Sequence, residues 1–304
     1  MKVSTYLTAP ALALSGLVLG AGPASAHTVI PNPAHTCSGT GSAPGVLAGT
    51  YYGDVVIKGL CAVDGGAAVV DGTLTVSPGS ALNATFALND VSHTGISSLL
   101  VRGDLRVQQG AVLAMGCLPE HSPCSDDPKA QTGGTLTGVN EVDGNLTGSQ
   151  ALAIIVHASR IGGSVDQFGG GGGPSALTCK VPTSGVFAAL QSPVFSDYED
   201  DTVAGHLTVA GLQSCWFGAL RDDVAGSVHV EGGKFGDPDA DEVNSNVVSG
   251  SMSCFANTPA VQFGDAAAAT PNKVTGDASG QCAFTVKLHN PLPSGPLTPI
   301  SVRG

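Results

Sequence analysis

Charge is scarce in this 304-residue chain, and positive charge scarcest. Charged residues make up 12%, and 12 Lys and Arg stand against 24 Asp and Glu, a formal net charge of −12. So few Lys and Arg argue against a phosphate backbone or an anionic membrane surface as partner. Aromatics are also few, with one Trp and four Tyr, which leaves little for stacking sugars or bases. Beyond the N-terminus no long stretch has apolar residues at i, i+3, i+4 and i+7, which argues against a helical architecture. No C-x-x-C occurs, and the cysteine spacing does not match a zinc site. No G-x-S-x-G stands with a fitting His and acid, and the five glycines Gly169 to Gly173 lack the Lys-Ser/Thr of a phosphate loop.

The N-terminus has the three parts of a secretory signal peptide: Lys2, an apolar run from about Leu7 to Leu19, and the small residues Ala24-Ser25-Ala26. The run is short for a bilayer span. Residues 1–26 are therefore expected to be cleaved, leaving His27 first, with the protein secreted to the extracellular space or cell surface. The Pro-rich tail 291–304 carries no apolar anchor, so release is expected.

Glycine is abundant, at 43 residues, and there are eight cysteines. An even count in an exported chain reads as four disulfides. Cys117–Cys124 closes a short Pro-containing loop. For the rest the simplest scheme is sequential, Cys37–Cys61, Cys179–Cys215 and Cys254–Cys282, although eight cysteines allow 105 connectivities.

A short unit, apolar-x-Gly-x-apolar, recurs as Val70–Leu74, Val101–Leu105, Val142–Leu146, Val203–Leu207, Val224–Val228 and Val248–Met252. Including weaker copies, marker glycines stand at 53, 72, 103, 144, 163, 205, 226, 250 and 276. Their separations are 19, 31, 41, 19, 42, 21, 24 and 26 residues. A unit of about two dozen residues with alternating apolar positions is one turn of a β-solenoid. The expected fold is all-β: a right-handed parallel β-helix with disulfides and loop excursions. Residues 27–45 would cap it and 46–290 would form it. The spacing of 42 across the glycine run favours a loop thrown out of one continuous solenoid over a hinge between two halves. Asp or Asn often sits two residues before the repeat valine (Asn140, Asp201, Asp222, Asn246, Asn272), and at equivalent corners such side chains could stack as a ladder.

The motif V-x-G-x-[LV]-x-V, clearest in Val70–Val76 and Val101–Val107, resembles right-handed parallel β-helix proteins and, more narrowly, the short repeats of bactofilin-like polymer-forming solenoids. That resemblance implies a stacked β core and self-association. The chain departs from it in being exported and Cys-rich. As a whole it also resembles secreted proteins of high-GC Gram-positive bacteria, which implies no activity.

Candidate chemistry lies with the acids. A glycoside hydrolase needs two carboxylates on one face. Asp197, Glu199, Asp200 and Asp201 form one cluster, and Asp222 and Asp223 another. In register, Asp201 and Asp222 lie on neighbouring turns, with Arg221 adjacent. These residues, above all Asp201, Asp222 and Asp223, are the catalytic candidates for a polysaccharide lyase or hydrolase, and solvated turn acids are the plainer reading. Asp237, Asp239, Asp241 and Glu242 could surround Ca²⁺, although the loop lacks the full D-x-D-x-D-G pattern. His27 with His35 could in principle chelate copper, but the repeat does not suit that chemistry. The remaining histidines, including His93, His121, His157, His206, His229 and His289, are scattered. The leading expectation is a non-catalytic structural or adhesive solenoid without a resident cofactor. It would present a flat Ser/Thr/Asn face to a glycan, a surface protein or a second copy of itself. A polysaccharide lyase or hydrolase and a Ca²⁺-dependent binding module are the alternatives.

Overall fold

A strand with one apolar face must bury that face and must also find partners for its backbone. Here both needs are met by parallel pairing with strands one repeat away. The computed structural model describes residues 34–89, 93–264 and 269–286. The signal segment 1–26, the tail 291–304, His27 and His289 lie outside the described residues. The described chain is mostly β, and all its strands but the separate pair Gln213–Ser214 and Lys234–Phe235 form three parallel ladders that it visits in a fixed order.

The first ladder runs His35–Gly39, residues 55–57, Leu74–Val76, Leu105–Val107, Leu146–Ser149, Val165–Phe168, Leu207–Ala210, Val228–Glu231, Met252–Phe255 and Ala278–Gly280. The second runs from residues 45–47 through 61–63, Ala81–Ala84, Val112–Met115, Ala153–His157, Phe195–Glu199 and Trp216–Leu220 to Glu242–Asn244. The third begins at residues 49–51 and 68–70. It continues through Leu99–Val101, Glu141–Val142, Arg160–Ile161, Thr202–Val203, Asp223–Val224 and Val247–Val248 to Lys273–Val274.

Side chains alternate across each strand, so every ladder contributes columns of equivalent residues to the core. The third ladder's column is Val70, Val101, Val142, Ile161, Val203, Val224, Val248 and Val274, all buried. β-branched residues suit this setting because their stiff side chains pack against the same residue one rung away. Full burial of each contributes on the order of 1.5–3 kcal/mol.

The marker glycines form a column of their own. The N–H of Gly72 donates to Gly53 O, Gly103 to Gly72, Gly144 to Gly103, and Gly163 to Gly144. The series continues through Gly205, Gly226 and Gly250 to Gly276, at 2.8–3.2 Å. A Cβ on Gly144 would lie 2.6 Å from Gly103 O and 2.7 Å from Asp104 Oδ1, and Gly103, Gly205, Gly226 and Gly250 are as constrained. Close approach of backbones, rather than a left-handed bend, is what demands glycine here.

The ladders run without a break past the glycine run. Val165–Phe168 pairs directly with Leu207–Ala210, and the second ladder resumes at Phe195–Glu199, so residues 169–194 are an excursion. It carries the short helix Val186–Leu190. Its Ala176, Phe187 and Val194 cover Ala81, Val112, Ala153 and Ile155, which alternate with the core-facing residues of the second ladder. Cys179–Cys215 ties this excursion down, and Cys117–Cys124 closes another. Cys37–Cys61 and Cys254–Cys282 lie toward the two ends of the ladders, so all four bridges follow the sequential scheme. No helix among the described residues is long and apolar enough to cross a membrane.

Gly144→Ala should destabilise the chain by about 1–3 kcal/mol through overpacking against the preceding rung. The exposed Ser149→Ala should be nearly neutral. Urea unfolding of both variants checks this, and equal midpoints would contradict the close-approach account.

Candidate functional site

Three groups of polar side chains merit a functional reading: a buried corner, a covered cluster and an exposed face. At the corner between the second and third ladders stand Asn140, Ser159, Asp201, Asp222, Asn246 and Asn272, each immediately before a third-ladder strand and each buried. Asp201 Oδ1 accepts the Ser159 N–H at 2.8 Å, and Asp222 Oδ1 accepts the Asp201 N–H at 2.9 Å. Asn246 Oδ1 accepts from Asp222 at 2.8 Å, and Asn272 Oδ1 from Asn246 at 3.0 Å. Each side chain thus satisfies a backbone donor one rung back, where no water reaches it.

The asparagines have a second use. Asn246 Nδ2 donates to Ala219 O and Asn272 Nδ2 to Val243 O. In register, the carbonyls equivalent to these for Asp201 and Asp222 belong to Val156 and Tyr198. A carboxylate cannot donate, and the Oδ2 atoms of both aspartates are buried without a hydrogen-bond partner. Burial pushes both carboxyls well above the usual carboxylate range. For Asp222 the Asp201 charge adds to the rise, and for Asp201 the bond from Ser159 opposes it. A protonated acid at these positions would offer an O–H where asparagine offers its amide N–H.

The second group lies on the outward side of the second ladder. Asp197 and Glu199 are alternate residues of one strand, and His157 is the register partner of Glu199 on the next. His157 Nε2 is 3.2 Å from Asp197 Oδ2 and 3.3 Å from Ser122 Oγ, which comes from the disulfide-closed loop. Arg221 donates to Glu199 Oε2 at 2.9 Å and to both oxygens of Asp200 at 2.8 and 2.9 Å. The His157, Asp197 and Glu199 side chains are 11%, 7% and 13% exposed. Burial alone would lower the His157 pKa, but the charge and hydrogen bond of Asp197, with Glu199 and Asp201 behind, raise it to about 9. Burial and the Asp197 charge push Glu199 up.

The third group is half-buried to exposed. The outward column of the first ladder reads Thr36, Val56, Thr75, Arg106, Thr147, Asp166, Thr208, His229, Ser253 and Ser279 in register. Beside it the residues that follow the marker glycines form a ladder. Asn145 N–H donates to Asp104 Oδ1, Ser164 N–H to Asn145 Oδ1, His206 N–H to Ser164 Oγ, Ser227 N–H to His206 Nδ1, Ser251 N–H to Ser227 Oγ, and Asp277 N–H to Ser251 Oγ.

Of the catalytic candidates, Asp201 and Asp222 belong to the buried corner, and Asp223 is exposed on the outward side of the third ladder. Of the calcium candidates, Asp237 Oδ1 accepts the Asp239 N–H at 3.1 Å, while Glu242 Oε1 accepts from Trp216 Nε1 at 3.0 Å. Asp241 is fully buried, which alone raises its pKa to about 8. Among the described residues these four do not bring three ligand atoms within 4.8 Å of one another. His35 packs on the Tyr51 ring, 4.6 Å between centroids.

The His157 cluster does not stand out in the sequence, where His157 is one of several scattered histidines. The signal was nonetheless present: the separation of 42 between Gly163 and Gly205 is also that between His157 and Glu199. No protein-family model, no curated protein and no solved structure matches this chain.

Asp222→Asn should preserve the corner and remove a pH-dependent cost. With its folded pKa raised, Asp222 contributes stability that is full below about pH 4 and is lost as pH rises through the raised value. Thermal melts from pH 4 to pH 8 should show Asp222→Asn gaining on the parent as pH rises, by about 1–3 kcal/mol at the upper end. A parallel pH profile would refute a protonated Asp222.

Proposed function

We propose that this chain is an exported, non-catalytic structural or adhesive protein whose three ladders close into a right-handed parallel β-solenoid, and that its first-ladder face binds a hydroxyl-rich polysaccharide. Closure is supported by the fixed order in which the chain visits the ladders, first, second and third in turn, from His35 to Val248. The hand follows the general preference of parallel crossover connections. Export is supported by the signal-like N-terminus and by the four disulfides.

The observation that carries the binding reading is the ten-residue outward column from Thr36 to Ser279. Four threonines and two serines recur there on a sheet whose strands lie ~4.8 Å apart. A rigid array of hydroxyls meets an extended polymer at many equivalent points, so weak single contacts add through avidity. The backbone beside it is held by the post-glycine ladder, so little ordering entropy is lost on binding.

The catalytic alternative has weaker support. Asp201 and Asp222 already serve as corner acceptors and are buried, whereas a hydrolytic pair must reach a glycosidic oxygen. Asp197 and Glu199 do have differing environments, but both lie under cover.

Adsorption to insoluble plant, fungal and bacterial-wall polysaccharides tests the proposal. The Thr147→Glu/Thr208→Glu variant should bind about tenfold more weakly, or ~1.4 kcal/mol, with an unchanged circular-dichroism spectrum. Release of soluble fragments that stops in Asp197→Asn or Glu199→Gln would replace this reading with an enzyme. Adsorption to none of these polymers would also sink the glycan reading, leaving a surface protein or a second copy as partner.

A further inference from the structure

We infer that His157, Asp197 and Glu199 bind a divalent transition-metal ion of the zinc class on the outward side of the second ladder. This site is separate from the first-ladder face and does not depend on its reading. The backbone supplies the geometry. Asp197 and Glu199, two residues apart on one strand, project from the same side of the sheet, and His157 stands opposite Glu199 one rung away. One ligand atom from each lies within 4.8 Å of the other two. Zinc takes nitrogen and oxygen ligands at about 2.0–2.2 Å, so these atoms close around an ion with small side-chain rotations.

Two further observations point to a cation. Asp197 Oδ1 is buried and accepts no hydrogen bond, a state that costs free energy unless an ion or water fills it. Charge is also unbalanced. Asp197, Glu199 and Asp200 bring three carboxylates, against Arg221, which bridges Glu199 and Asp200, and the His157 imidazole, which pairs with Asp197. A doubly charged ion beside a neutral imidazole restores neutrality in a covered site. Arg221 holds Glu199 through Oε2, which leaves Oε1 as the ligand atom. One imidazole with two carboxylates favours a zinc-class ion over calcium, which prefers six to eight oxygens. Ser122 adds a hydroxyl at the rim, 3.3 Å from His157 Nε2.

The test is calorimetric titration of the purified, oxidised, chelator-stripped chain with Zn²⁺, repeated with Co²⁺ for its visible absorption. One equivalent should bind and raise the melting temperature. Asp197→Asn and Glu199→Gln, which keep side-chain size, should each weaken binding roughly tenfold or more, and His157→Ala should abolish the imidazole-dependent Co²⁺ spectrum. Circular dichroism confirms that each variant is folded. Absence of stoichiometric binding overturns the inference and leaves a buried His157–Asp197 ion pair. Binding that survives all three substitutions also overturns it, since the ion would then sit elsewhere, for example at an N-terminal His27.

Discussion

The structure depends on one constraint: neighbouring rungs must approach closely enough for ladder N–H groups to reach carbonyls one repeat away. At the marker glycines this distance is 2.8–3.2 Å, and no side chain fits between. Parallel pairing of short strands is weak per residue, so the ladders hold through repetition, each rung supporting two neighbours. The valine column and the glycine column are two sides of this arrangement. One fills the interior with identical shapes, and the other keeps the corner thin enough for the shapes to meet.

Corners pose a harder problem than strands, because the chain turns inside the protein and exposes donors to no solvent. The solution is a side chain that acts as a surrogate for backbone. Asparagine suits this role with both an acceptor and a donor, as at Asn246 and Asn272. Aspartate suits it only when protonated, the form that burial favours at Asp201 and Asp222. Residues that resemble a catalytic pair in sequence therefore belong to the fold. Asp197 and Glu199 project outward instead, where the neighbouring strand supplies a histidine.

Outward faces differ according to what covers them. On the second ladder the excursion bearing Phe187 and Val194 buries the outward Ala81, Val112, Ala153 and Ile155, and Asp197 follows Ile155 in register. The first ladder's column is polar, and much of it is open to solvent. This division separates a covered, charged cluster from a broad hydroxyl face on the same scaffold, and two binding roles can coexist without competing for residues.

Much of this was legible in the sequence. The apolar-x-Gly-x-apolar unit implies stacked strands because alternation and a fixed period leave few other ways to bury valine. Sequential cysteine pairing was the simplest of many schemes, and the four bridges follow it. The ladder of Asx residues was visible as a spacing, but its burial was not, because sequence does not say which side of a corner faces the core. The post-glycine ladder, from Asp104 to Asp277, went unread because Asp, Asn, Ser and His share only an acceptor atom, not a residue type. The His157 cluster needed the register across a 42-residue interval, and excursions of unequal length hide that register until strands are paired. The sequence by itself determined the repeat and its alternating apolar positions, which follow from local periodicity, and offered the sequential cross-links only as the simplest scheme. Only the tertiary structure decided which acids are interior and which meet a histidine, because rung-to-rung alignment, and not chain proximity, brings those atoms together.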